Sequence, residues 1–203
     1  MSPNNMAPRP KTEGVAEQGE AIALLGEFSA LLRRLGSPSV DHATAHGFLN
    51  AYQSSVLAPI ELPAIARAFQ HAARGQWREL LALDAQLSAE PLLQPFADGS
   101  RQIGRLQLER LRPLRDERLT QRYLAAVESG QANGWHTVVY GIMLAIYSWP
   151  LRQGLIHYGR ETISGLATVS GDAAPINHEA LRAWVDQTIV DLNGAYTSSI
   201  ASP

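Results

Sequence analysis

The sequence predicts an all-α fold, a single-domain bundle of roughly eight to ten helices. Three observations lead there. Apolar residues recur at steps of three and four over most of the 203 residues, the spacing that gathers side chains on one face of a helix. No segment shows period-two alternation bounded by turn residues, the mark of a half-buried strand. Gly36, Pro59, Gly75, Pro91, Pro113, Gly130 and Pro150 stand between the apolar stripes, where helices stop and start.

The elements follow in order. Ile22, Leu25, Phe28, Leu32 and Leu35 form a first stripe that Gly36 closes. Ser37 and Pro38 offer an N-cap and a first-turn proline to a second helix, which carries Val40, Phe48, Tyr52 and Val56 inward and ends at Pro59. Leu62, Ile65, Ala66 and Phe69 make a third stripe, closed at Gly75; Trp77, Leu80, Leu81 and Leu87 make a fourth. A longer helix after Pro91 places Leu93, Phe96, Ser100, Ile103 and Gly104 on one side, until Pro113 breaks it. Leu119, Tyr123, Ala126 and Val127 form a short helix ending near Gly130. Residues 135–147 are nearly all apolar, so this helix is expected to be buried all round. Beyond Pro150 a helix carries Leu155, Tyr158, Ile163, Leu166 and Val169, and a loop spans Gly171 to Asn177. The last helix, with Leu181, Trp184, Val185, Thr188, Ile189 and Leu192, has the cleanest amphipathic pattern. Residues 1–19 read as a polar, disordered tail, 20–197 as the helical body, and 198–203 as a flexible end.

Composition excludes several chemistries. The chain has no cysteine, which removes disulfides, thiol nucleophiles and Cys-ligated zinc. Of its 17 basic residues only Lys11 is a lysine, and it lies in the polar tail. A helical body without lysine has no Schiff-base or lysine general-base chemistry, and it has no Walker A loop to hold nucleotide phosphates. Pro10 stands before Lys11 where that loop needs glycine. Any nucleotide chemistry is therefore expected in a partner, and no cofactor is called for. A formal charge of −2 gives no general pull toward nucleic acid or anionic membrane. The first twenty residues lack the apolar run of a signal peptide, and Val138 to Ile146 is too short to span a bilayer, so the expected location is cytoplasmic.

From about Leu49 the order of short motifs resembles the UreF family of urease accessory proteins. A Leu-Pro segment leads into a helix and a Gly-x-Trp turn, "IELPAIARAFQHAARGQW". A leucine-aspartate pair follows in "LLALDAQL", then a serine and glycine four apart with arginine nearby in "DGSRQIGRLQL". Next come a His-led helix start, "WHTVVYGIMLA", and a tyrosine-led helix ending in small residues, "IHYGRETISGLATVS". The likeness covers roughly three quarters of the chain. It departs in the early stretch "LLGEFSALLRRLG", where Gly26, Phe28 and Ser29 remain without the family's proline and histidine. It departs again at Asp172-Ala173 and at Asn177-His178, where the family carries Arg-Leu and Gly-Gln pairs. The resemblance implies a non-enzymatic, often dimeric helical protein. Such a protein joins a UreD (UreH) accessory protein and the GTPase UreG on apo-urease, and supports GTP-dependent nickel delivery.

Candidate residues divide by what they could do. His136, beside Trp135, reads as a partner-facing group or as a core-edge histidine bonded to the backbone. His42 and His46, four apart on a predicted helix, are close enough to share a metal ion, but two histidines alone make a weak site, and lying off the apolar stripe they read first as a solvated polar face. Seven arginines between Arg101 and Arg122, including Arg105, are offset by Glu109, Asp116 and Glu117. They suit a docking face for an acidic partner or an exposed helix pair with internal salt bridges. RNA binding is a third option, without interleaved aromatics to support it beyond Tyr123. Ser100 and Gly104, one turn apart, predict close helix packing, as do Gly141 and Gly165. Tyr158 leads the helix that follows the apolar one. Two other functions stay open: a helical scaffold or regulator unrelated to nickel, and a small enzyme or metal carrier using His42, His46 or His178.

Overall fold

The computed structural model describes residues 49–114, 117–170 and 177–200, with helical backbone alone at 166–170 and 194–200. The described residues hold seven α-helices and no strand. We label them α1 (Leu62–Ala73), α2 (Trp77–Ser88), α3 (Ala97–Leu111), α4 (Arg118–Glu128), α5 (His136–Ile146), α6 (Leu151–Ser170) and α7 (His178–Ile200). Seven is fewer than the eight to ten expected. The first stripe, from Ile22 to Leu35, and most of the second helix lie outside the described residues.

Pro59 does not end the second helix. It sits inside a π-helical segment, Gln53–Glu61, that runs straight into α1, with Tyr52 and Leu62 at its two ends both in right-handed helical geometry. The wider turn is how the chain absorbs a residue that has no N–H to give: Leu62 N–H reaches back five residues to the Leu57 carbonyl. The helix after Pro91 is also divided. Pro91–Phe96 forms a 3₁₀ turn containing Pro95, capped by the Glu90 side chain, which accepts from Leu92 N–H; α3 begins only at Ala97.

The core is built around α5, which the sequence predicts to be buried on all sides. Val138, Val139, Ile142 and Leu144 are fully enclosed. The most extensive helix pair is α1 with α5. That contact is close because α1 presents Ala64, Ala68 and Ile65 and α5 answers with Gly141. A β-carbon on Gly141 would lie 2.6 Å from both the Ala68 β-carbon and the Ile65 carbonyl oxygen. The small residue thus lets two backbones approach, offsetting the roughly 1 kcal/mol that glycine costs inside a helix. Gly165 is buried on α6 as well.

Helix α1 stops where predicted. Gln76 N–H bonds the His71 carbonyl at 2.8 Å and Gly75 N–H the Ala72 carbonyl at 3.0 Å, the paired bonds that finish a helix through a left-handed residue. The same pattern closes α5, with Trp149 N–H on the Leu144 carbonyl at 2.8 Å. There the left-handed residue is Ser148, at φ 52°. Helices α6 and α7 pack side by side, with Leu155, Tyr158 and Ile163 facing Leu181 and Val185 in one apolar cluster. Among the described residues no helix is long and apolar enough to cross a membrane.

Candidate functional site

Four of the five family-like motifs converge on one place, the start of α5, and the Leu-Pro motif packs against the middle of the same helix. Its organiser is Asp84: the buried face of α2 is Leu80, Leu83, Asp84 and Leu87, where the sequence stripe has Trp77 and Leu81 in place of Leu83 and Asp84. A carboxylate fully out of water must be met by donors. Asp84 meets five. Its oxygens accept from the Tyr123 hydroxyl (2.7 Å), Asn133 N–H (2.7 Å), Asn133 Nδ2 (3.2 Å), Gly134 N–H (3.0 Å) and Trp135 N–H (3.3 Å). Three are backbone amides running into the first turn of α5, where the helix dipole also favours negative charge. Burial, then the adjacent Asp84 charge, push the Tyr123 phenol well above its usual pKa.

One turn along α2, Ser88 adds a second clasp. Its Oγ accepts from Asn133 Nδ2 and from Trp135 Nε1, both at 2.7 Å, and donates to the Asp84 carbonyl at 2.9 Å. From α3, Ser100 Oγ accepts His136 N–H at 3.2 Å, satisfying one of the amides that a helix leaves open at its start. Gly104 brings α3 so near that an added β-carbon would overlap the Gly134 carbonyl oxygen. Ser100 and Gly104 thus perform the close packing expected of them, against the chain entering α5.

The other candidates group around the same point. His136 is buried, and its ring stacks on that of Tyr158 at 5.2 Å and 28°; Tyr140 lies 5.3 Å from Tyr158 and donates its hydroxyl to the Gly154 carbonyl at 3.1 Å. The structure therefore places His136 in the core, because the first turn of α5 points it toward α6. The Arg101 guanidinium lies 5.2 Å over the Trp135 ring, while Arg105 is exposed on the next turn of α3. His42 and His46 lie outside the described residues. Among the described residues no three His, Asp or Glu side chains come together in a metal-holding group.

The arginine run is partly consumed within the molecule. Arg112 holds Glu109 through Nε (2.8 Å) and Nη2 (2.7 Å), and Glu128 of α4 through Nη2 (2.6 Å). The Arg112 hydrogen bonds hold the Glu109 carboxyl below its usual pKa. Arg115 and Asp116 are outside the described residues. The aromatic neighbours missing from the local sequence come from other elements: Trp77 of α2 lies under Arg122 of α4 at 6.0 Å, as Trp135 lies under Arg101. Sequence reasoning passed over Asp84, Ser88, Tyr123 and Asn133 as site residues. The one signal for them was an acid sitting on an otherwise leucine-lined helix face.

The UreF family model matches residues 39–188. The chain belongs to the UreF family. The match begins somewhat before Leu49, where the short motifs start, and ends inside α7. It therefore takes in the whole clasp from Asp84 to Gly141. UreF proteins are urease accessory proteins, and the all-helical architecture agrees with that assignment. A comparison with curated proteins finds no match to this UreF family member.

Proposed function

We propose that this UreF family member is a non-catalytic adaptor. It joins a UreD/UreH-type protein and a UreG-type GTPase on apo-urease in the cytoplasm, and couples GTP turnover to nickel insertion. The observation that carries the reading is the family match over residues 39–188. The sequence supports it from a second side. With Lys11 as its only lysine and no cysteine, the chain is ill-equipped to bind nucleotide through a Walker loop or to carry metal on thiolates, so those tasks fall to partners. A rigid body with α5 clasped by α2, α3 and α4 suits a protein whose work is to present fixed surfaces. Those surfaces include the exposed arginines of α3, with Arg105 central, and in this reading they meet protein partners or a second copy of the chain; nucleic acid and membrane are not among its targets.

The test is deletion and complementation of urease activity in nickel-supplied cells, together with co-purification of the UreD-type and UreG-type proteins. Restoration of activity and recovery of the complex are expected. No rescue, with no complex at micromolar concentration, would leave a helical scaffold unrelated to nickel. The altered early stretch "LLGEFSALLRRLG" already favours that second reading.

A further inference from the structure

Arg67 lies in a groove between α1, α2 and α7, with His71 and Arg74 following it at helical spacing along α1. The groove also holds Glu79 from α2 and Asp191 from α7; Asp191 accepts from Gln187 Nε2 at 2.8 Å. Arg67 is half-buried. Its Nη1 donates to a neutral group, Gln86 Oε1, at 3.0 Å, and its Nε is shielded from water without an acceptor. Among the described residues no carboxylate lies within ion-pair distance of it. Burial alone lowers its pKa, with no neighbouring charge to offset the loss of water. The same molecule shows what an arginine here does when it can. Arg112 and Arg152 each hold a carboxylate through Nε and Nη2, Arg152 on Asp186 at 2.7 and 3.0 Å. Arg67 holds no carboxylate among the described residues; because its Nε is enclosed, an incoming carboxylate meets the guanidinium through the terminal nitrogens.

A partly desolvated cation without a counter-charge is a standing cost that a bound anion removes. We propose that this groove docks a segment of a partner protein and that an aspartate or glutamate of that segment pairs with Arg67. The inference rests on the adaptor reading for the identity of the partner. A single carboxylate suits the site better than phosphate: the cost of desolvating an anion rises with the square of its charge, while its attraction to one guanidinium, partly offset by the more distant Glu79 and Asp191 of the same groove, rises only in proportion. Pro63 and Leu192, in the same groove, provide apolar surface for the rest of the segment.

Two measurements separate this inference from the adaptor reading. On the full chain alone, the ¹⁵N resonance of the Arg67 side chain, identified by its loss in Arg67→Gln, is followed during titration with N-acetylglutamate amide. The neutral N-acetylglutamine amide and inorganic phosphate serve as comparisons. A millimolar response to the glutamate probe alone is expected. No response, or a tighter response to phosphate, overturns the proposal. In the second measurement, wild type, Arg67→Gln, Arg67→Lys and the control Arg160→Gln, an exposed arginine of α6 outside the groove, are assembled with the UreD-type and UreG-type proteins. Arg67→Gln should weaken assembly by about tenfold or more, Arg67→Lys should recover part of it, and Arg160→Gln should change nothing. Equal assembly by Arg67→Gln overturns the docking site and leaves the adaptor role intact. Failure of wild type to assemble sinks the adaptor role and with it the partner named here, while the probe titration still decides the carboxylate site.

Discussion

Asp84 accepts the Tyr123 hydroxyl at 2.7 Å across 39 residues of sequence, and the same carboxylate holds the three backbone amides that lead into α5. This one acid ties α2 to α4 and to the central helix of the core. Its partners are all donors, so the site works only with an acceptor on both oxygens. Asp84→Asn replaces one acceptor with an NH₂ group aimed at N–H donors. It should lower unfolding free energy by on the order of 3 kcal/mol, because buried donors are left unmet. Tyr123→Phe removes one donor of five and should cost about 1–2 kcal/mol. Urea denaturation of the two variants checks the order; equal costs would mean that the amides contribute little.

Stability should fall above about pH 10, the ordinary phenol value. The folded Tyr123 has a raised pKa, so between the unfolded and folded values the native state binds more protons than the unfolded one, and unfolding free energy declines as pH rises. The stabilising contribution is full below the unfolded value. Denaturant midpoints measured from pH 8 upward should show the decline in wild type and a shallower one in Tyr123→Phe. Parallel profiles would show that other groups dominate.

Gly104→Ala should destabilise by about 1–3 kcal/mol, the usual range for an overpacked core. Its β-carbon would meet the Gly134 carbonyl, a backbone atom that cannot rotate away. Gly75 offers the contrast. It has open space around it and a φ of 67°, so alanine there meets only the left-handed strain of about 1–2 kcal/mol. Thermal unfolding of the two variants should also differ in kind: Gly104→Ala should disturb the tryptophan fluorescence of Trp135, and Gly75→Ala should not.

Ser100→Ala should cost about 1 kcal/mol through loss of the acceptor for His136 N–H. Hydrogen exchange at the His136 amide is the direct readout and should accelerate in the variant. Unchanged protection would mean that the Asp84 clasp alone holds the start of α5.

By itself the sequence determined the helical class, the stripes of α1, α4 and α7, half of that of α2, the burial of α5 and the ends at Gly75 and Gly130, because these depend on local periodicity and on which residues tolerate a helix end. It also carried the family likeness, through the order of short motifs. It misjudged Pro59, since a proline's missing N–H can be absorbed by a wider turn as well as by a break, and the choice depends on what packs around it. It identified Ser100, Gly104 and Gly141 as packing residues, yet the surfaces they meet, the Gly134 carbonyl and the Ile65–Ala68 turn, lie far along the chain. Asp84 was legible only as an anomaly. Whether a buried carboxylate is a reactive acid or a structural tie depends on which donors surround it, and those donors come from Tyr123 and from the backbone of residues 133–135. The absence of a counter-charge at Arg67 is of the same kind. Charge balance is a property of neighbours in space, and only the tertiary structure brings α1, α2 and α7 together to show that Arg67 has no ion pair among the described residues.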